Sequence, residues 1–146
     1  MADWEKHSID DLREYRAVKE SLGTLPEEIR SLEEDMQLVK GTRYDKTPVE
    51  GGASGYEERL INYIDRKGRL EQNLGLAQAK VERIERGLSV LTENERLVLT
   101  RFYIHREPRY LDRLCGELGY EQAQVYRIKG TALRKFTLAM YGVRDI

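Results

Sequence analysis

The sequence predicts an all-α chain in which a long antiparallel helical hairpin of coiled-coil character is followed by a helix-turn-helix domain. Three observations carry this. Apolar residues recur at alternating steps of three and four over Tyr15–Val39 and again over Leu60–Leu91, the spacing of a seam between packed helices. A glycine-rich stretch with a proline separates the two runs. The C-terminal part, residues 91–146, holds a helix-start signal, a short amphipathic segment closed by glycine, and a longer helical pattern with a basic face, the elements of a helix-turn-helix.

The first seam consists of Tyr15, Val18, Leu22, Leu25, Ile29, Leu32, Met36 and Val39, and predicts a helix from about Ser8 to Lys40. Pro26 lies within it. A proline ring clashes with the carbonyl four residues back, so the spacing predicts a kink or a restart there, with Thr24 as N-cap and Glu27 completing a capping box. The second seam is Leu60, Tyr63, Lys67, Leu70, Leu74, Ala77, Val81, Ile84, Leu88 and Leu91, from about Tyr56 to Val90. Lys67 is its one polar member, suited to snorkelling or to setting register. Each helix would be roughly 50 Å long at about 1.5 Å per residue, and matched lengths suit an antiparallel hairpin. Gly68, Gly75 and Gly87 each cost the second helix about 1 kcal/mol relative to alanine, which tertiary packing must offset. Residues 41–55, with Pro48, Gly41, Gly51, Gly52 and Gly55, read as a flexible linker. They lack the Gly-Lys-Ser/Thr ending of a phosphate-binding loop. The hairpin with its linker thus occupies residues 1–90.

In residues 91–146 the run Leu91-Thr92-Glu93-Asn94-Glu95-Arg96 opens a helix through a Thr92/Glu95 capping box. Leu97, Val98, Phe102 and Tyr103 line its inner side, and Arg106–Arg109, containing Pro108, ends it. Leu111, Leu114, Cys115 and Leu118 form one face of the next helix, and Gly119 suits the left-handed exit. Tyr120 is expected to plug the core and Val125 to pack beneath the turn. In the last helix, Val125, Ile128, Ala132, Leu133 and Phe136 face inward. Outward stand Gln122, Gln124, Arg127, Lys129, Thr131, Arg134 and Lys135. Glutamine can pair with adenine and arginine with guanine, while cations farther along neutralise phosphates.

Composition agrees with this division. Charged residues make up 35% of the chain and aromatic residues 8%, a mix at home in long amphipathic helices rather than in a large spherical core. The net charge is only −1. From Leu88 onward, however, 10 Lys+Arg stand against 7 Asp+Glu, and before it 15 against 19, so the basic excess lies with the proposed DNA reader. Cys115 has no partner for an internal disulfide, which fits a reducing cytoplasm. His7 and His105 are far apart and form no metal-ligand cluster. No apolar stretch approaches the roughly 20 residues a membrane span needs, and no nucleophile-and-base arrangement or pair of carboxylates stands out, so neither enzyme, metal site nor cofactor is expected.

Leu91-Thr92-Glu93-Asn94-Glu95-Arg96-Leu97-Val98-Leu99, then Leu111 to Gly119, then Val125-Tyr126-Arg127-Ile128 and Ala132-Leu133-Arg134-Lys135-Phe136 resemble region 4 of sigma-70 class factors over roughly residues 91–137. With the long helices and linker ahead of it, the chain is similar to small phage and prophage transcriptional regulators of the ArpU-related type. That resemblance implies double-stranded DNA as partner, with the recognition helix at 121–139 and base and backbone contacts at Gln122, Gln124, Tyr126 and Arg127. It also makes RNA polymerase a candidate partner, and the seams suit a homo-oligomer, a dimer first. Ala123 and Glu121 depart from the family pattern, where position 123 is often charged and 121 is a Ser/Thr cap, so the element read should differ from the common −35 hexamer. Two other readings fit the same elements. A small terminase-like DNA-packaging subunit combines a helix-turn-helix with oligomerising helices but usually has the DNA-binding unit first, and a coiled-coil interaction module would use the C-terminal bundle to bind protein.

Overall fold

The computed structural model describes residues 3–45 and 52–143, helix and connecting turns with no strand among them. In chain order these are α1 (Asp3–Asp45), α2 (Gly52–Ser89), α3 (Glu93–Leu99, continued by a π-helical turn over Thr100–Ile104), α4 (Tyr110–Leu118) and α5 (Gln122–Tyr141). Among the described residues no helix is long and apolar enough to cross a membrane. The linker is narrower than the expected 41–55: α1 continues through Gly41 to Asp45 and α2 begins at Gly52, while residues 46–51 lie outside the described residues. Once a helix is nucleated each further residue adds one hydrogen bond, so scattered glycines shorten it less than their number suggests.

Pro26 lies inside α1, which is continuous from Asp3 to Asp45, and the expected restart at Thr24 does not occur. The Thr24 hydroxyl donates back to the Glu20 carbonyl at 3.4 Å, the behaviour of a threonine within a helix. Proline removes one backbone bond and costs a helix interior about 3 kcal/mol; the seam residues that pack on both sides of it outweigh that local cost.

Contacts divide the chain into two compact units, Glu20–Gln78 and Met1–Lys19 together with Ala79–Ile146. In the first unit the seam positions are the covered ones. Leu22, Leu25, Ile29, Leu32 and Val39 of α1 and Leu60, Tyr63, Lys67, Leu70, Leu74 and Ala77 of α2 are half-buried, Met36 is buried, and their neighbours are mostly exposed. Lys67 reaches from α2 to Glu33 of α1 at 3.3 Å and lies over the Tyr63 ring. The Glu33 hydrogen bond, followed by its charge, raises the Lys67 pKa. The one polar seam position therefore pairs across the seam, as a register-setting residue would.

In the second unit the first turns of α1 and the last turns of α2 join the C-terminal helices in one core. Ile9, Leu12, Ile84, Leu88, Leu91, Leu99, Ala132, Leu133 and Phe136 are buried together. Gly87 has a physical role here: a Cβ on it would stand 2.7 Å from Phe136 Cε2 and 3.3 Å from Met140 Cγ, so only glycine lets α5 pack so closely on α2. Two hydroxyls are buried with the apolar groups. Thr137 Oγ1 donates to the Leu133 carbonyl at 2.7 Å, which leaves the Ser8 hydroxyl to donate to Thr137 at 2.8 Å. Each hydroxyl is thereby satisfied, as burial requires. At the rim, Tyr15 and Lys19 converge on Glu85 at 2.7 and 3.2 Å, Lys80 pairs with Glu14, and Tyr141 donates to Asp11.

Candidate nucleic-acid interface

The candidate face is built up from α3. Glu95 N–H donates to Thr92 Oγ1 at 3.2 Å and Thr92 N–H to Glu95 Oε1 at 2.9 Å, the reciprocal capping box expected from the sequence. Arg96 donates from Nε to the Leu88 carbonyl at 3.3 Å and from Nη2 to the Leu91 carbonyl at 3.1 Å. The Leu88 carbonyl, in the last turn of α2, also accepts from the Leu91 N–H at 3.2 Å, so one guanidinium ties α3 to the end of α2 and the turn after it. Glu95 is buried and pairs with Lys135 of α5 at 2.9 Å. Burial raises its pKa, but the Thr92 amide and the Lys135 ammonium outweigh that and hold the carboxyl below its ordinary value.

Between α3, α4 and α5 lie Val98, Phe102, Leu114 and Val125, all buried, with Leu97, Tyr110, Leu111, Cys115, Leu118 and Ile128 packed around them. Val125 beneath the turn is as expected. Tyr120 is not: it is exposed, because Leu114, Val125 and Phe102 already close the space it was expected to fill. The turn itself is Gly119 at φ 71° and ψ 28°. Its N–H donates to the Cys115 carbonyl at 2.9 Å, followed by Tyr120 N–H to the same carbonyl at 3.3 Å, so α4 ends in the left-handed cap that glycine adopts without Cβ strain. Glu121 is the N-cap of α5 but makes no side-chain cap bond.

The loop before α4 is braced by charges. The Arg16 guanidinium can only donate, so His105 accepts from it through Nδ1 and gives the hydrogen on Nε2 to Glu107 at 2.8 Å. Arg113 pairs with the same carboxylate at 2.6 Å, and His105 first, with Arg113 adding, lowers the Glu107 pKa. Arg106 stacks on Tyr110 at 4.3 Å. Arg109 takes a left-handed φ of 60° and ψ of 30° at the N-cap of α4, with its side chain 81% exposed. Arg106 and Arg109 are exposed cations at the start of α4, in a stretch expected from the sequence only to end a helix. Two arginines flanking Pro108 were the available signal.

On α5, helical periodicity sorts the expected residues into three lines. Gln122, Tyr126 and Lys129 share one flank, Arg127 and Arg134 run along the outer middle, and Gln124 and Lys135 share the other flank. Gln122, Tyr126, Arg127 and Arg134 are exposed; Gln124 and Lys129 are half-buried. Arg127 Nε donates to Gln124 Oε1 at 3.0 Å, which couples the two. Tyr126 meets Phe102 edge-on at 5.8 Å, and the Lys129 ammonium lies 5.4 Å from Phe102 and 5.2 Å from Tyr126. Arg134 leans on Thr131 at 3.4 Å. Lys135 is exposed too, and its ammonium bonds to Glu95. Among the described residues no group of three or more His, Cys, Asp or Glu could hold a metal ion. Comparison with models of known families, with curated proteins and with solved structures finds no match to this chain.

Proposed function

We propose that this protein is a sequence-specific, DNA-binding transcription regulator of phage or prophage type, built as a long antiparallel helical hairpin followed by a sigma region 4-like helix-turn-helix. In this reading residues 121–139 enter the major groove of double-stranded DNA. Gln122, Gln124, Tyr126 and Arg127, on the first turns of α5, address base edges and neighbouring backbone. Lys129 and Arg134 approach phosphates. Lys135, exposed on the same side as Gln124, joins them while also holding α5 to the capping box of α3 through Glu95. A homodimer would present two such helices to a two-fold site, and RNA polymerase is the further partner.

The observation that carries the reading is the rigid seating of α5. Val125, Ala132, Leu133 and Phe136 are buried on one side while the opposite side projects Arg127 and Arg134 outward. A base reader needs that combination, because side chains on a fixed backbone lose little freedom when they meet a base edge. Selection of duplexes from a random pool by the purified full chain tests it. An enriched motif supports the proposal, and recovery of an unenriched pool at low salt would reduce α5 to a nonspecific cation surface.

A further inference from the structure

The face of α2 turned away from its seam, within Glu20–Gln78, exposes large apolar residues. Ile61, Ile64 and Leu76 are 66%, 60% and 63% exposed. Between them lie Gly68 and Gly75, and a Cβ built on either meets nothing within 4 Å. Ile61, Asp65, Gly68, Gln72 and Gly75 step by four and three, so they share one stripe of the helix. We propose that this face takes a second copy of itself, packed antiparallel about Gly68, which gives the self-association in the reading above a definite surface.

Complementarity chooses this occupant and its direction. With Gly68 opposite Gly68, the backbones approach closely, and Ile61 of each copy lies over the open space at Gly75 of the other, with Leu76 beside it. Asp65 of each copy then lies within about one helical turn of Arg69 of the other. These two are an exposed pair within one chain, 3.1 Å apart with side chains 59% and 76% exposed, and are free to exchange partners. A parallel arrangement would instead carry Asp65 of one copy and Arg69 of the other to opposite flanks of the contact, so their attraction would be lost, and would set Ile61 against Ile61 rather than over the open space at Gly75.

Sedimentation of the full chain at tens of micromolar protein tests the proposal. The wild type should be dimeric. Ile61→Glu should weaken association by about tenfold or more, since the carboxylate would be buried without a partner, and its circular dichroism should be unchanged because position 61 is exposed within one chain. Asp65→Arg alone and Arg69→Asp alone should each dissociate, whereas a one-to-one mixture of the two variants should form a dimer. An Ile61→Cys chain mixed with a Gly75→Cys chain, both carrying Cys115→Ser, should give the mixed disulfide in preference to either homodimer. A monomeric wild type, an Ile61→Glu variant that still dimerises, or same-residue disulfides would each overturn the proposal. DNA reading is separable: Ile61→Glu should keep the sequence preference of one recognition helix on a half-site, and loss of preference in the wild type would count against the reader and not against this surface.

Discussion

The two compact units bury one continuous heptad pattern to different depths. In Glu20–Gln78 the seam residues are half-covered, with only Met36 buried, because two helices can shield a seam from its front but not from its sides. In the other unit the same pattern, continued through Val81, Ile84 and Leu88 and met by Ile9 and Leu12, falls to 8% exposure or less, because α3 and α5 close over it. The electrostatics differ in parallel. The sequence of Glu20–Gln78 carries 8 Lys+Arg against 12 Asp+Glu, and the remainder 17 against 14. Burial depth is therefore set by how many elements cover the pattern and not by the pattern itself. The sealed unit carries the basic excess, and the acidic unit leaves the flanks of its seam uncovered.

Core truncation should separate the units most strongly. Phe136→Ala removes a fully buried ring and should cost about 3–5 kcal/mol; Leu32→Ala, at a half-buried seam position, should cost roughly half that or less. Urea unfolding of the two variants checks this, and equal losses would erase the distinction. Glycine substitution gives a smaller contrast of opposite signs. Gly87→Ala forces a methyl against Phe136 and should destabilise by about 1–3 kcal/mol. Gly23→Ala, with open space around it, should stabilise by about 0.5–1 kcal/mol. Thermal midpoints that move in the same direction would contradict the packing assigned to Gly87.

A pH dependence sharpens the sealed unit's rim. Burial first, then the bond to Asp11, pushes the Tyr141 pKa from 10.0 up to about 12. A raised pKa means the folded state holds the proton more tightly, so its contribution is complete below the ordinary value and is lost as pH rises from 10.0 toward about 12. Tyr141→Phe should be less stable than wild type at neutral pH but lose less further stability across that window. Urea midpoints at a series of pH values read the difference, and equal alkaline slopes would remove Tyr141 as their source.

Much of this was legible from spacing alone. Every apolar position assigned to the two seams is buried or half-buried, and the Thr92/Glu95 box and the Gly119 exit form as their chemistry requires, because each depends on residues within one turn of one another. What the sequence hid depends on distant partners. Ile9 and Leu12 continue the first seam, but Ser8 beside them broke the apolar pattern, and only its bond to Thr137 makes a hydroxyl acceptable in that core. The pairing of Lys135 with Glu95 was hidden because the two lie forty residues apart in the chain. Pro26 looked like a break because the cost of proline is local whereas the packing that overrides it is spread along the helix.

The central claim is that the first turns of α5 read bases while its later turns meet phosphates, and the most direct test is the ratio of specific to random-duplex affinity in two variants. Arg127→Ala should lose about 1–3 kcal/mol on the selected site and far less on random DNA. Arg134→Ala should weaken both about equally and lower the slope of log affinity against log salt by roughly one unit. If the two variants change that ratio identically, α5 does not read bases and the account fails.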